Sequence, residues 1–250
     1  MFISTKYLVN QYGIDSTIAR FFVDREPPAN NLYWHEKLLY LRPSPGYLFI
    51  PLIVDLLHKV GLDKEKLLSP EFIDSLEAIG HISALEETNK ISRPAAIEHC
   101  SKLAEKSLVN PPWLRTVTDF ISREEDNILT KMLMPFKSLH RGDIFLFSLA
   151  SIDFPDTYFE KIGKLWFALI SILLLSDDAD DIEIDKATGD ENAFLESGLN
   201  AEGLHRISEI VKEGVETIAM VNPTLAAALE RQHMVASQMP HFLKHINPSV

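Results

Sequence analysis

Residues 164–185 read Lys164-Leu-Trp-Phe-Ala-Leu-Ile-Ser-Ile-Leu-Leu-Leu-Ser-Asp177-Asp178-Ala-Asp180-Asp181-Ile-Glu183-Ile-Asp185. The apolar run from Leu165 to Leu175 is well short of the roughly 20 residues that cross a bilayer, so it predicts a helix buried inside protein. Such a helix must be covered by neighbouring elements on most of its faces. The run therefore predicts the central helix of a bundle, with an acidic end that opens into a cavity.

The rest of the chain indicates the same fold class. Apolar residues make up 46% of the sequence, only 10 residues are glycine, and alternating β-branched runs are scarce. These features predict an all-α fold, a single-domain helical bundle over residues 1–250. The predicted helices lie at 15–24, 30–41, 47–60, 70–88, 94–108, 112–133, 138–151, 156–178, 200–221 and 223–238, and the acidic segment 182–199 is predicted to be a mobile loop.

Three helix starts have a local cause in the sequence. Ser69, Asn110 and Asn222 each precede a proline. Serine and asparagine side chains accept hydrogen bonds from the free N–H groups of a first helical turn, and proline is tolerated there because it has no N–H to lose. Ser69 and Asn222 are therefore the predicted N-caps of helices 70–88 and 223–238. Asn110-Pro111-Pro112 is predicted to end one helix and open the next, because the prolines cannot donate backbone hydrogen bonds to the preceding turn.

The acidic cluster has the spacing of a divalent-cation site. Asp177 and Asp181 are four residues apart and share a helix face, Asp178 lies beside them, and Asp185 joins them if the helix continues by one turn. Hard oxygen ligands favour Mg²⁺, Mn²⁺ or Ca²⁺ over zinc. A solvated acidic helix end remains the alternative for these four residues. An EF-hand is disfavoured because the sixth position of its loop needs glycine, and here it is Lys186 or Asp190.

Two stretches resemble the trans-polyprenyl diphosphate synthases of the class I isoprenoid synthase superfamily. Residues 163–181 are similar to the apolar helix that leads into the second Asp-Asp-x-x-Asp motif of that family. His140-Arg141-Gly142-Asp143-Ile-Phe145 resembles the Lys-Thr-Gly-x-Leu-Phe turn, which contacts diphosphate in the family. The resemblance covers roughly residues 40 to 195.

Two other motifs of the family are altered. The segment 46–61 resembles the Gly-Lys-Arg-x-Arg-Pro helix, but Tyr47, Leu48 and Ile50 stand where the family has the basic residues that hold isopentenyl diphosphate. The first Asp-Asp-x-x-Asp motif is replaced by a segment in which Glu86 and Glu87 are the candidate metal ligands. An i,i+4 salt bridge from Lys90 to Glu86 is the alternative there.

The resemblance implies a magnesium-dependent site for a prenyl diphosphate substrate. Arg141 and His140 are then the candidate diphosphate donors, and the candidate aromatic walls of the pocket are Phe145, Trp166 and Phe167, although any of these aromatics can also be ordinary core. Because the basic residues for a second diphosphate are missing, the favoured function is a terpene-synthase-like lyase. The alternatives are a catalytically inactive homologue that acts as a partner subunit and, third, a chain-elongating prenyltransferase.

Charge and cysteine content limit the partners and the compartment. The net charge of −12 opposes binding to a nucleic-acid backbone. The single cysteine, Cys100, excludes an internal disulfide, and the first residues lack the pattern of a signal peptide. The sequence therefore predicts a cytoplasmic protein that is not integral to a membrane, with a homodimer or a heteromeric partner synthase as possible assemblies.

Overall fold

A computed structural model describes residues 3–26, 28–31, 45–123 and 126–246, and in these ranges it is all-α, as predicted, with no β-strand. The helices are α1 (Thr5–Tyr12), α2 (Ser16–Asp24), α3 (Pro45–Lys59), α4 (Lys64–Leu67), α5 (Pro70–Glu87), α6 (Arg93–Lys106), α7 (Pro111–Ser122), α8 (Phe159–Thr188), α9 (Ala193–Glu196), α10 (Ala201–Ala219), α11 (Pro223–Ser237) and α12 (Pro240–Ile246). Between α7 and α8 the chain forms short 3-10 segments at Thr130–Met132, Lys137–His140, Asp143–Ser151 and Asp156–Tyr158.

The predicted N-caps Ser69 and Asn222 are confirmed, and Asn110 caps the helix that its two following prolines were predicted to open. The side chains of Ser69, Asn110 and Asn222 each accept a hydrogen bond from the backbone N–H three residues later. Each cap satisfies a donor that the first helical turn leaves free, and a proline follows in the first turn. Local sequence chemistry therefore sets the starts of α5, α7 and α11.

Helix α8 is the central helix, and it is longer than the sequence predicts. It spans 30 residues, packs against α3, α10 and α11, and ends at Thr188 with Gly189 in the left-handed conformation. The predicted end at residue 178 and the predicted mobile loop at 182–199 are therefore wrong. The helix continues because Ala179 and Ile182 are buried in an apolar cluster with Phe194 of α9. As a result, the acidic residues lie inside the helix and not at its end.

Other boundaries also differ from the prediction. Helix α7 stops at Ser122, because Arg123 adopts a left-handed backbone conformation with φ 56°, and the predicted extension to 133 is wrong. No helix was predicted at the positions of α1, α4, α9 or α12. Nearly all of the predicted helix at 30–41 lies outside the described residues.

The predicted helix at 138–151 forms two 3-10 segments, Lys137–His140 and Asp143–Ser151, in place of one α-helix. Several carbonyl groups of Asp143–Ser151 accept from donors outside an α-helical ladder. The Leu146 carbonyl accepts from the Trp113 indole at 3.0 Å, and the Ala150 carbonyl accepts from the backbone N–H groups of Val109 and Asn110, both at 2.9 Å. These donors from outside the segment satisfy carbonyl groups of the 3-10 helix. This segment packs against α5, α6 and α7 and closes one side of the space beside α8.

The helices were also compared with the requirements of a membrane span. Within the described residues, none has both the length and the apolar composition needed to cross a bilayer.

Candidate functional site

A cavity of about 220 Å³ lies between α3, α5, α8 and the turn that begins the segment Asp143–Ser151. Its polar wall holds one cation and two carboxylates, and the rest of its wall is largely apolar. The lining residues are Phe49, Ser83, Glu87, Arg141, Gly142, Phe145, Ile170, Leu173, Leu174 and Asp177. The cavity therefore has a charged part and an apolar part.

One face of α8 provides the long wall of the cavity. Ile170, Leu173, Leu174 and Asp177 follow the i, i+3, i+4, i+7 spacing that brings side chains onto one side of a helix. The same spacing places Asp177 at the end of an apolar stripe. A ligand that lies along this face would meet methyl groups first and a carboxylate last.

Arg141 is the cation of the cavity, and its guanidinium is fixed on two sides. Its Nε donates to the Ser138 carbonyl oxygen at 3.1 Å, and its Nη2 donates to Asp178 Oδ1 at 2.5 Å. Burial lowers the pKa of Arg141, but the carboxylates of Asp178, Asp177 and Glu87 outweigh that effect and raise it. Arg141 is therefore a permanent positive charge, held in a defined orientation beside the cavity.

Asp178 does not line the cavity. It is 1% exposed, and its two carboxylate oxygens are both engaged, Oδ1 by Arg141 and Oδ2 by the backbone N–H of Ala193 at 2.7 Å. Burial raises the pKa of Asp178 to about 6, and Arg141 and the Ala193 N–H offset only part of that rise. The structure thus places this predicted metal ligand inside the packing between α8, α9 and the Arg141 turn.

Asp177 and Glu87 line the cavity and keep part of their surface exposed to solvent, while the surrounding protein displaces part of the water around their carboxylates. Loss of surrounding water raises the pKa of Asp177, Arg141 opposes the rise, and Asp181 and Asp185 add to it. The pKa of Glu87 is raised for the same main reason, against the pull of Arg141 and a 3.4 Å hydrogen bond from the Ser83 hydroxyl. The structure therefore brings the α5 carboxylate that was predicted as a ligand to the same cavity as Asp177.

The other three predicted metal ligands are directed elsewhere. Asp181 is exposed and does not line the cavity. Asp185 Oδ2 accepts from the Asn192 side chain at 2.8 Å. Glu86 accepts from Arg93 Nη1 at 3.0 Å, which differs from the alternative prediction of a pair with Lys90.

His140 also lies outside the cavity lining, in contrast to the prediction. Its Nδ1 contacts Asp143 Oδ2 at 2.8 Å, and its Nε2 contacts the Met134 carbonyl oxygen at 3.0 Å. Both ring nitrogens are therefore occupied, and the imidazole could contact a diphosphate only by giving up one of these bonds. His140 supports the turn that carries Arg141.

Of the three predicted aromatic residues, only Phe145 lines the cavity. Trp166 is fully buried and meets the edge of Phe49 with ring centroids 5.2 Å apart. Phe167 packs against Phe120 in the core. The aromatic wall of the cavity is therefore the pair Phe49 and Phe145, whose centroids are 5.6 Å apart, with Trp166 as a support behind it.

Sequence reasoning missed several lining residues, although some signals for them exist. Ser83 lies four residues before Glu87 and so shares its helix face, and the residues at 170, 173 and 174 share the face of Asp177. Gly142 is in contact with α8, since a Cβ at this position would lie 2.9 Å from Ile170 side-chain carbons. Phe49 carries no comparable signal, because its contact with the cavity depends on how α3 packs.

Two of the six predicted metal ligands line the cavity. No group of three or more His, Cys, Asp or Glu side chains among the described residues is arranged to hold a metal. Asp177 and Glu87 remain as hard oxygen donors beside one cavity. Two carboxylates fit Mg²⁺, which is commonly bound by one or two carboxylates together with substrate phosphates.

The chain was compared with protein-family models, curated proteins and solved structures. None of the three comparisons gives a match.

Proposed function

We propose that this protein is a terpene-synthase-like enzyme with an isoprenoid-synthase type of bundle. In this proposal it binds one prenyl diphosphate in the presence of Mg²⁺ and releases diphosphate. The observation that carries the proposal is the division of one cavity into a charged part, with Arg141, Asp177 and Glu87, and an apolar part. A ligand with a charged head and a hydrocarbon tail matches both parts.

The charged part suits a diphosphate. Arg141 presents a planar guanidinium, whose several donors match phosphate oxygens. Asp177 and Glu87 would repel a bare diphosphate, so a cation has to lie between the anions. Bound Mg²⁺ would supply charge neutralisation of the leaving group, and Asp177 and Glu87 are the residues that would hold it.

The apolar part suits a prenyl tail. Ile170, Leu173 and Leu174 cover one side of the tail, and Phe49 and Phe145 cover another. Such a wall excludes water from a reactive allylic carbon, and aromatic faces favour a cation near them. The tail would therefore be held where ionisation is protected from quenching.

The start of α3 supports the use of a single diphosphate substrate. Leu48 and Ile50 occupy the positions that resemble the cationic cradle of prenyltransferases, and each is 2% exposed. Buried apolar side chains cannot hold a second diphosphate. The buried apolar side chains at the start of α3 therefore favour ionisation of one substrate over condensation of two.

The size of the cavity favours a short tail. About 220 Å³ is below the roughly 300–1,000 Å³ typical of pockets for drug-sized ligands. Geranyl diphosphate is therefore the first substrate to test, before the farnesyl and geranylgeranyl compounds.

The test is release of diphosphate by the pure protein from each of these three substrates, with Mg²⁺ and without isopentenyl diphosphate. The matched pair of variants is Asp177→Asn and Asp180→Asn, since Asp180 lies on the same helix, is exposed and does not line the cavity. Release that is lost in the first variant and kept in the second supports the enzyme.

The alternative is a non-catalytic partner subunit. The commitment of Asp178 and Glu86 to arginines favours it, because fewer carboxylates remain for a metal cluster. Binding of an unreactive prenyl diphosphate analogue without any turnover would favour this alternative. Absence of both turnover and Mg²⁺-dependent analogue binding would reject the enzyme.

A further inference from the structure

The ion pair between Arg141 and Asp178 joins three separate parts of the chain. Asp178 in α8 receives Arg141 Nη2 on one oxygen and the first N–H of α9 on the other. The Asn192 side chain also donates to the Asp178 carbonyl oxygen at 2.6 Å. Asp178 is therefore fixed from both its backbone and its side chain.

The turn that carries Arg141 is held by the same short segment of chain. The carboxylate of Glu196 accepts from the backbone N–H of Lys137 at 2.5 Å and of Ser138 at 3.0 Å. Arg141 Nε in turn donates to the Ser138 carbonyl oxygen. Residues 192–196 are therefore hydrogen-bonded both to the turn that carries Arg141 and to Asp178.

This arrangement fixes two of the three nitrogen atoms of the Arg141 guanidinium and leaves the third, Nη1. The Nε and Nη2 groups are engaged, and no hydrogen bond among the described residues involves Nη1. A planar guanidinium with two fixed contacts has a defined plane, so its remaining donors point in a defined direction. Arg141 borders the cavity, and an anion there would meet a donor that is already oriented.

We infer that Asp178 is a positioning residue, which orients Arg141 for the diphosphate, and is not a ligand of the cation. The inference rests on the proposed function and assigns a separate role to each of two adjacent carboxylates. Asp177 is open to the cavity and free to bind a cation. Asp178 is buried and does not line the cavity, and its two oxygens accept from Arg141 and from the Ala193 N–H.

Calorimetric titration with inorganic pyrophosphate, with and without Mg²⁺, separates these roles. We expect Asp178→Asn and Arg141→Gln each to weaken pyrophosphate binding about tenfold, the effect of losing one charge-assisted hydrogen bond. At saturating pyrophosphate, both should leave the half-saturating Mg²⁺ concentration within twofold of wild type. Asp177→Asn should raise that concentration about tenfold, and Asp180→Asn should change neither quantity. A merely structural Asp178 would weaken both together.

A second measurement uses the wild-type protein and does not depend on the folding of any variant. In a crystal structure with Mn²⁺ and pyrophosphate, the anomalous signal of manganese should lie beside Asp177, with Asp178 still on Arg141 and Ala193. An Asp178 oxygen within about 2.2 Å of manganese, or a raised Mg²⁺ requirement in Asp178→Asn, overturns the inference and leaves the proposed function standing. Failure of the wild type to bind pyrophosphate at all overturns both.

Discussion

The last turn of α5 and the middle of α8 each carry two adjacent carboxylates, and the two regions use them in a similar way. Glu87 and Asp177 line the cavity. Their neighbours Glu86 and Asp178 are each held by an arginine. In each of these two pairs, one carboxylate lines the cavity and its neighbour is directed to an arginine.

The regions differ in how deeply the second carboxylate is buried. The side chain of Glu86 is 22% exposed beside Arg93, whereas that of Asp178 is 1% exposed beside Arg141. Asp178 also accepts a backbone N–H, which ties it to α9. In both helices the carboxylate that lines the cavity is exposed and its neighbour is paired with an arginine, but only the pair of Asp178 is buried against a third element.

The largest expected effect is on activity at the open carboxylates. We expect Asp177→Asn and Glu87→Gln to slow diphosphate release about a hundredfold, or about 3 kcal/mol of transition-state stabilisation, because each removes charge that would hold the cation. Glu86→Gln, the matched change on the same turn of α5, should stay within about threefold, as expected for a residue that does not contribute to the transition state. Equal losses in Glu86→Gln and Glu87→Gln would contradict the division of roles.

The next prediction concerns the free energy of unfolding when Arg141 or Arg93 is replaced. Arg141→Gln leaves a buried carboxylate without its cation, so we expect the free energy of unfolding to fall by about 2 kcal/mol, less than for a fully buried pair. Arg93→Gln breaks a partly exposed pair, and the cost should be below about 1 kcal/mol. Urea denaturation of both variants at pH 7 measures the difference. Similar costs would mean that the burial of Asp178 has no energetic consequence.

The pH dependence of stability sharpens the same comparison. The folded pKa of Asp178 is about 6, above its ordinary value of 3.8, so the folded protein holds more protons than the unfolded chain between about pH 4 and pH 6. The contribution of Asp178 to the free energy of unfolding therefore falls as pH rises through this window, by about 3 kcal/mol at most.

Denaturation from pH 4 to pH 7 tests this sign. Relative to Asp178→Asn, the wild type should lose stability as pH rises. Parallel curves for the wild type and Asp178→Asn would show that burial does not raise this pKa.

The smallest expected effect concerns the approach of the Arg141 turn to α8. In Gly142→Ala the new Cβ would lie 2.9 Å from Ile170 side-chain carbons, so that flexible side chain must move. We expect a loss of about 1 kcal/mol in stability, as for mild overpacking. Thermal unfolding of Gly142→Ala with and without Ile170→Val checks it, because the smaller side chain should restore part of the loss. No rescue would mean that the clash lies elsewhere.

Much of the fold could be predicted from local chemistry. The proline-linked caps at Ser69, Asn110 and Asn222 mark three helix starts, and the run from Leu165 to Leu175 marks the central helix. The end of α8 could not be predicted, because acidic residues after an apolar run look like a helix end. The helix continues because Ile182 packs against α9, and such a tertiary contact cannot be read from the local sequence.

The site could be predicted only in part. The spacing of the aspartates identifies the acidic region. Glu87, Arg141 and Phe145 were predicted as site residues only because the sequence resembles the trans-polyprenyl diphosphate synthases. Which carboxylate faces the cavity depends on the rotation of α8 about its axis, and that rotation is set by packing on α3, α10 and α11. Nothing local in the sequence shows that Asp178 points toward the Arg141 turn.

The most direct measurement is a calorimetric titration of the protein with an unreactive geranyl diphosphate analogue in the presence of Mg²⁺. We expect binding that requires Mg²⁺, that is lost in Asp177→Asn, weakened about tenfold in Arg141→Gln and unchanged in Asp180→Asn. Binding that is indifferent to Mg²⁺ and to Asp177, or no binding of the analogue at all, would contradict this expectation.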